Sequence, residues 1–313
     1  MSRFFQASSL LILALAGPSV HAQGLDWQSL NTEIVSLSRQ GSYDRAIDLA
    51  KQALAIAEEA GGSHHPSVAV SLNNLALLYK TQGRYLEAAL LYERALMIKE
   101  TVLGPHHPNV ALGLNNLAEV CRAQGNYTRA QSLSKRALMI KEKTLGANHP
   151  SVATSLNNLA SLHRMAGQHE QAESLYKRAL AIREKALGAD HPSVATSLDN
   201  LGALYDAQGR HSQAESCYRR ALEIREKTLG VDDPATAASL DNLGGLYEAQ
   251  GQHGRAELLY NRALRIREKS LGRDHSAVAA SLDRLATLYK NSGREKAAVV
   301  LEQRAAAIRA ATD

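Results

Sequence analysis

Residues 66–104 read PSVAVSLNNLALLYKTQGRYLEAALLYERALMIKETVLG. Val68, Leu72, Leu75, Ala76 and Tyr79 recur at the spacing of one helical face. Pro66 suits the first position of that helix, where a backbone N–H has no intrahelical partner. Gly83 can take the left-handed conformation that ends it. Leu86, Ala88, Leu91, Tyr92, Ala95, Leu96 and Ile98 carry a second helix, which Leu103-Gly104 closes. A short loop, Pro105-His106-His107, leads to the next proline. Nowhere does the chain alternate apolar and polar residues as a half-buried strand requires. The stretch predicts a helix, a tight turn and a second helix.

The same stretch recurs along the chain. Gly41, Gly83, Gly125, Gly167, Gly209, Gly251 and Gly293 are each 42 residues apart, and Pro66, Pro108, Pro150, Pro192 and Pro234 keep the same step. The alanines at 46, 88, 130, 172, 214, 256 and 298 keep it too, as do those from Ala53 to Ala305 and the isoleucines from Ile98 to Ile308. A period of this length marks a repeat architecture. Small residues such as Ala76, Ala88 and Ala95 let two helix backbones approach closely. One helix pair cannot cover its own apolar surface, so the pairs must stack.

The recurring pattern His-Pro-x-Val-Ala-x-Ser-Leu-x-Asn-Leu-Ala-x-Leu-Tyr, then Gln-Gly, then Ala-x-x-Leu-Tyr-x-Arg-Ala-Leu-x-Ile resembles the tetratricopeptide repeat. Its 42-residue length and its His-Pro joint resemble the kinesin light chain subtype. The resemblance covers about residues 65–313, with a weaker unit before it. It implies an all-α fold, a right-handed superhelical α-solenoid of about seven helix-turn-helix repeats. Residues 23–64 are expected to form a divergent N-terminal capping repeat, and 65–313 six repeats, the last a C-terminal cap. Both ends depart from the pattern as caps should. Glu33 stands where later units have Leu75 or Leu117, and Trp27 is the sole tryptophan. Ser276 replaces the proline, and Glu302 stands where an earlier unit has Tyr92. The coiled-coil region of kinesin light chains has no counterpart here, so motor attachment is not implied.

Residues 1–22 read as a secretory signal: Arg3, then the apolar run Leu10–Ala16, the break Gly17-Pro18, and small residues at Val20 and Ala22. The apolar run is far below the ~20 residues of a membrane span. The expected mature chain therefore begins near Gln23, is periplasmic or secreted, and does not insert in a membrane. Composition fits a folded chain: 45% apolar and 21% charged, with 36 basic against 31 acidic residues. Such near-balance is not the footprint of a nucleic-acid binder.

Chemistry is sparse. His65, His107, His149, His191 and His275 hold one loop position. Stacked helices lie ~8–10 Å apart, whereas zinc holds its ligands at ~2.0–2.3 Å. Equivalent histidines therefore cannot converge on one ion, and neither metal nor cofactor is expected. Ser132-x-x-Lys135 and Ser174-x-x-Lys177 match one motif of serine acyltransferases, without its companions. Cys121 and Cys217 fall two units apart, too far for a disulfide, and read as buried thiols. Asn126-Tyr127-Thr128 is a glycosylation sequon at a turn. Runs such as Lys135-Arg136 and Arg219-Arg220 suit i,i+4 pairing on a solvated face.

In tetratricopeptide repeats the first helix of each unit lines a concave groove that takes peptide segments of partner proteins. The resemblance places Asn73, Asn74, Asn115, Asn116, Asn157, Asn158, Asp199, Asn200, Asp241 and Asn242 along that groove. An Asn amide both donates and accepts, so a ladder of them can pair with a peptide backbone. The same amides can instead bond neighbouring helices, or one residue of each pair can do each job. One turn on sit Lys80, Arg122 and Arg164, then Asp206 and Glu248. The groove is therefore expected to run from basic to acidic, with Glu119, Arg284 and Lys290 as exceptions, and to fix a ligand's direction. The function that follows is a non-enzymatic scaffold for another protein or peptide. The alternative is a structural spacer or self-assembling subunit, and the oligomeric state stays open.

Overall fold

The computed structural model describes residues 26–312; the expected signal, residues 1–22, lies outside them. The described residues form helices and turns, without a strand. They fall into two compact units divided between Ala147 and Asn148. The first holds α1 (Trp27–Arg39), α2 (Tyr43–Gly61), α3 (Pro66–Thr81), α4 (Tyr85–Leu103), α5 (Pro108–Ala123) and α6 (Tyr127–Leu145). The second holds α7 (Pro150–Met165), α8 (His169–Leu187), α9 (Pro192–Ala207), α10 (His211–Thr228), α11 (Pro234–Ala249), α12 (His253–Leu271), α13 (Ser276–Asn291) and α14 (Glu295–Thr312). Helices thus come in pairs, a shorter first helix and a longer second one.

The first helices start where side-chain chemistry says they should, while α2, α4, α8, α10 and α12 start without a side-chain cap. His65, His107, His149, His191 and His275 are N-caps of α3, α5, α7, α9 and α13. In each, Nδ1 accepts the backbone N–H two residues on, as from Ser193 to His191 at 3.1 Å. Where a proline follows, the joint is complete: proline has no N–H to leave orphaned, and the histidine satisfies the next one. Asp233 does the same for α11, accepting from Ala235 N at 2.7 Å. Asn126, the sequon asparagine, caps α6 by accepting from Arg129 N at 3.1 Å. The turn after α3 passes through Gly83 at φ +76°, a conformation L side chains avoid.

Packing follows the alanine columns. Ala76, Ala88 and Ala95 are at most 2% exposed, between Leu72, Leu75, Tyr92 and Ile98. Each first helix lies on its own second helix, and α2, α4, α8, α10 and α12 lie also on the first helix that follows. Paired helices approach closely at Gly202 and Gly244. A Cβ there would sit 2.8 Å and 2.7 Å from the rings of Tyr218 and Tyr260. At the ends, Trp27 donates from its indole to Ser71 Oγ at 2.8 Å, while Glu33 faces solvent.

Charged side chains bond between repeats more than along one helix. Arg94 meets Glu58 at 2.6 Å, Arg136 meets Glu100 at 2.5 Å, Arg220 meets Glu184 at 2.7 Å, Arg262 meets Glu226 and Arg304 meets Glu268, both at 2.6 Å. This corrects the expected i,i+4 pairing for Arg136 and Arg220; Arg219 does pair within its helix, with Glu215 at 2.8 Å. Side-by-side second helices bring these residues together, a distance no linear spacing shows. A second clip joins Glu173 to Arg210 at 2.6 Å and to the Tyr205 hydroxyl at 3.1 Å. Arg210, with Lys177 and Tyr205, holds the Glu173 carboxyl down at about 2.

Two pairs of variants test this account. Gly244→Ala should lower stability, since overpacking against Tyr260, about 1–3 kcal/mol, outweighs the ~1 kcal/mol gain in helix propensity. Gly245→Ala meets only the Tyr260 hydroxyl, at 3.6 Å, and should keep that gain. Similarly, His191→Ala should cost about 1 kcal/mol of cap energy and His191→Asp should restore it. Urea unfolding of the four variants decides both points.

Candidate functional site: the open faces of the first helices

In each unit the first helices keep one face only half-covered. On α3 it carries Asn73, Leu77 and Lys80; on α7, Thr154, Asn158 and Ser161; on α9, Thr196, Asn200 and Ala203. These positions follow i, i+4, i+7 and so share a face. The asparagine pairs straddle its edge, and their two members do different things.

In unit 1 the second member reaches back one repeat. Asn74 donates from Nδ2 to Asn31 Oδ1 at 2.7 Å, and Asn116 to Asn73 Oδ1 at 3.0 Å. Asn74 is 3% exposed and Asn31 4%, so that rung lies in the stack, while Asn73, Asn115 and Asn116 are half-exposed. Asn31 stands 42 residues before Asn73, so the asparagine column, followed in the sequence only from Asn73, begins in the divergent first repeat. In unit 2 the first members are buried: Asn157, Asp199 and Asp241, each 4–6% exposed. Asn158, Asn200 and Asn242 stay half-exposed. Asn242 bonds back to Asp199, the same reach-back as in unit 1.

The buried aspartates are paired with arginines that the sequence reading did not single out. Arg225 of α10 meets Asp199 at 2.6 Å, and Arg267 of α12 meets Asp241 at 2.6 Å. Arg225 also donates to Ser239, and Arg267 to Ser281 at 2.6 Å, each on the first helix of the next repeat. Burial pushes the Asp199 carboxyl up, and Arg225 and Asn242 oppose that push. The signal was the 42-residue recurrence of Arg183, Arg225, Arg267 and Arg309, hidden in a helix otherwise read as a solvated face.

The charged row is partly spent on neighbours. Lys80 pairs with Glu119 at 2.9 Å in unit 1, where Arg122 is half-exposed. In unit 2, Arg164 bonds the Tyr176 hydroxyl, and Asp206 sits 3.2 Å from His211 Nδ1. Glu248 accepts from Tyr260 at 2.9 Å and from Asn291 at 3.1 Å. The first helices of unit 2 thus present Arg164, Asp206, Glu248 and then Lys290, which pairs with Glu302.

Other candidates hold little chemistry. Lys177 pairs with Glu173 at 2.7 Å, which raises its proton affinity, the wrong direction for a general base beside Ser174. Cys121 is buried and Cys217 half-buried; both are free, and burial pushes Cys217 up to about 11. Such thiols are poor nucleophiles. Among the described residues no three His, Cys, Asp or Glu groups could hold a metal ion, and no helix is long and apolar enough to cross a membrane.

Comparison with known proteins settles the class. The tetratricopeptide repeat pattern matches residues 30–101, 91–143, 109–185, 166–227, 207–269 and 278–312. The chain belongs to the tetratricopeptide repeat family. Among solved structures it is similar to the nearly identical repeats of a kinesin light chain-like protein from Podosopora anserina, at 31% identity. That match covers 66% of this chain and 98% of that one, with a TM-score of 0.57. It is also similar to BtubC (BKLC) from P. vanneervenii, at 28% identity over 78% of this chain and 93% of that one, TM-score 0.59. A tetratricopeptide repeat protein from Parabacteroides merdae shares the fold, at 16% identity over 90% and 93% of the chains, TM-score 0.63. The repeats are of the kinesin light chain type, within an all-α repeat solenoid. No curated protein matches the chain.

The buried ion pair is open to test. Asp199→Asn keeps the shape and removes the charge that Arg225 meets. It should cost about 1.5–3 kcal/mol, the range for a hydrogen bond to a charged group, read as a lower thermal midpoint.

Proposed function

We propose that this protein is a non-enzymatic binding scaffold that seats an extended peptide segment of a partner along the open faces of its first helices. The observation that carries this reading is the division of labour within the asparagine pairs. In unit 2 the buried member anchors the stack, and Asn158, Asn200 and Asn242 are held half-exposed in a row. Amides so placed can meet the donors and acceptors of a peptide backbone. Charged residues beside that row supply orientation and on-rate more than affinity. Tetratricopeptide repeats generally serve protein–protein interaction.

We place the scaffold in a periplasmic or secreted compartment, on the strength of residues 1–22. A mature protein whose first residue is not near Gln23 would refute that placement. A second reading, a self-assembling subunit, draws on Leu86, Leu90 and Met97, which are 76%, 67% and 58% exposed along one stripe of α4. Concentration-dependent oligomers in sedimentation, without peptide capture, would favour it.

The test is co-purification with the full mature chain, repeated with Asn158 and Asn200 both changed to alanine. Neither side chain is buried, so the double variant should keep its melting temperature. Its recovery of partner should fall about tenfold or more, the equivalent of two lost hydrogen bonds. Unchanged recovery would remove the open face as the docking site.

A further inference from the structure

We propose that the outer face of the second helices in unit 1 joins a second copy of this chain, in a two-fold pair whose axis runs parallel to α4 and whose centre is Leu86, Leu90 and Met97. The inference rests on the self-assembly reading above and deepens it to one face and one orientation. It draws nothing from the open faces of the first helices.

Leu86, Leu90 and Met97 follow i, i+4 and i+11, which puts them on one line along α4. They are the fully exposed positions of that helix from Tyr85 to Glu100. The stack itself does not ask for apolar residues there. The same places hold Thr128, Ser132 and Met139 in α6, and Glu170, Ser174 and Ala181 in α8. A contiguous apolar stripe left in water marks a surface that something covers.

Charge on the flanking helices says what covers it. Arg94 bridges to Glu58 of α2, and Arg129 of α6 bridges to Glu93 at 2.5 Å, so α2 lies on one side of α4 and α6 on the other. On α2 the line continues as Asp44, Asp48, Ala55 and Glu59; on α6 as Thr128, Ser132, Met139 and Lys143, all of them exposed. Arg45 and Lys51, the exposed cations of α2, lie to either side of that line. Turning a second copy about an axis parallel to α4 lays α2 of one copy over α6 of the other. Each residue of α2 then faces the one two repeats on: Glu59 meets Lys143, Ala55 meets Met139, and Asp44 and Asp48 meet the hydroxyls of Thr128 and Ser132. On α4 itself, Glu93 on the α6 side comes opposite Arg94 on the α2 side. Reversing the direction of the second copy would set α2 on α2, acid against acid, which is repulsive. An anionic lipid surface would meet the same acids. The face thus complements itself, as a two-fold pair requires. A standard interface covers about 800 Å² of each partner. One apolar stripe with polar flanks falls at the low end of that scale, so the pair is one that dissociates, at roughly 10–100 µM.

Sedimentation of the full mature chain across that concentration range tests the pairing, with melting temperatures measured alongside. The wild-type protein should pass reversibly from monomer to dimer. Leu90→Lys, at an exposed position, should keep its melting temperature and stay monomeric. Lys143→Glu, which sets acid against Glu59 twice in each pair, should weaken the dimer about tenfold or more. Adding Glu59→Lys to that variant should restore it, because the exchanged charges meet again across the axis. A wild-type monomer at every concentration overturns the proposal and the self-assembly reading together. Oligomers that persist in Leu90→Lys overturn the proposed face and leave self-assembly standing. A dimer that Lys143→Glu does not weaken, or that the double variant does not regain, overturns the orientation and with it the proposal.

Discussion

A pair of helices 16 and 19 residues long has more apolar surface than it can hide by itself. Within both units the remedy is the same: α2, α4, α8, α10 and α12 each lie between the first helix of their own repeat and the first helix of the next. That sandwich works only if backbones come close. Columns of alanine at Ala76, Ala88 and Ala95, and glycines at Gly202 and Gly244 under tyrosine rings, set the distance. Stability then becomes a sum over nearest neighbours. The close approach also fixes which side chains can meet, and every polar contact described above depends on it.

Close packing of repeats creates an obligation as well as a core. Polar groups at the seam between first helices are cut off from water, and a buried polar group without a partner is costly. The asparagine and aspartate pairs meet that obligation by bonding across the seam, Asn74 to Asn31 and Asn242 to Asp199. Because a one-residue slip would break such a bond, the rungs also pin the stacking register. In unit 2 the rungs grow into networks, in which Asp199 and Asp241 are matched by Arg225 and Arg267 from behind. Asn73, Asn115 and Asn157 hold the same position without a charge, and Asn157 turns its amide to Ser197 instead.

The wider charge pattern tells the same story from the opposite face. Arginines at 94, 136, 220, 262 and 304 each meet a glutamate 36 positions earlier. These bridges are partly exposed, and each contributes little alone. Their periodicity spends the second helices' charges on holding repeats together, which leaves the first helices' open faces as the place for recognition. Fold by itself says nothing about partners; the side chains on those faces do.

Much of this protein was legible in one dimension. The 42-residue recurrence of glycine, proline, alanine and isoleucine determined the helix pairs, their turns, their number and their family, because local geometry and apolar periodicity are written at short range. The asparagine pairs could be located, but not sorted. Whether Asn73 or Asn74 enters the seam depends on how a helix is rotated against its neighbour, and a 42-residue repeat leaves that rotation open. The histidine caps were visible as a conserved joint without a role, since the accepted N–H is a matter of backbone direction. The arginine–aspartate pairs and the bridges between second helices were invisible, because 26 and 36 positions of sequence separation become contact only once the stack is built.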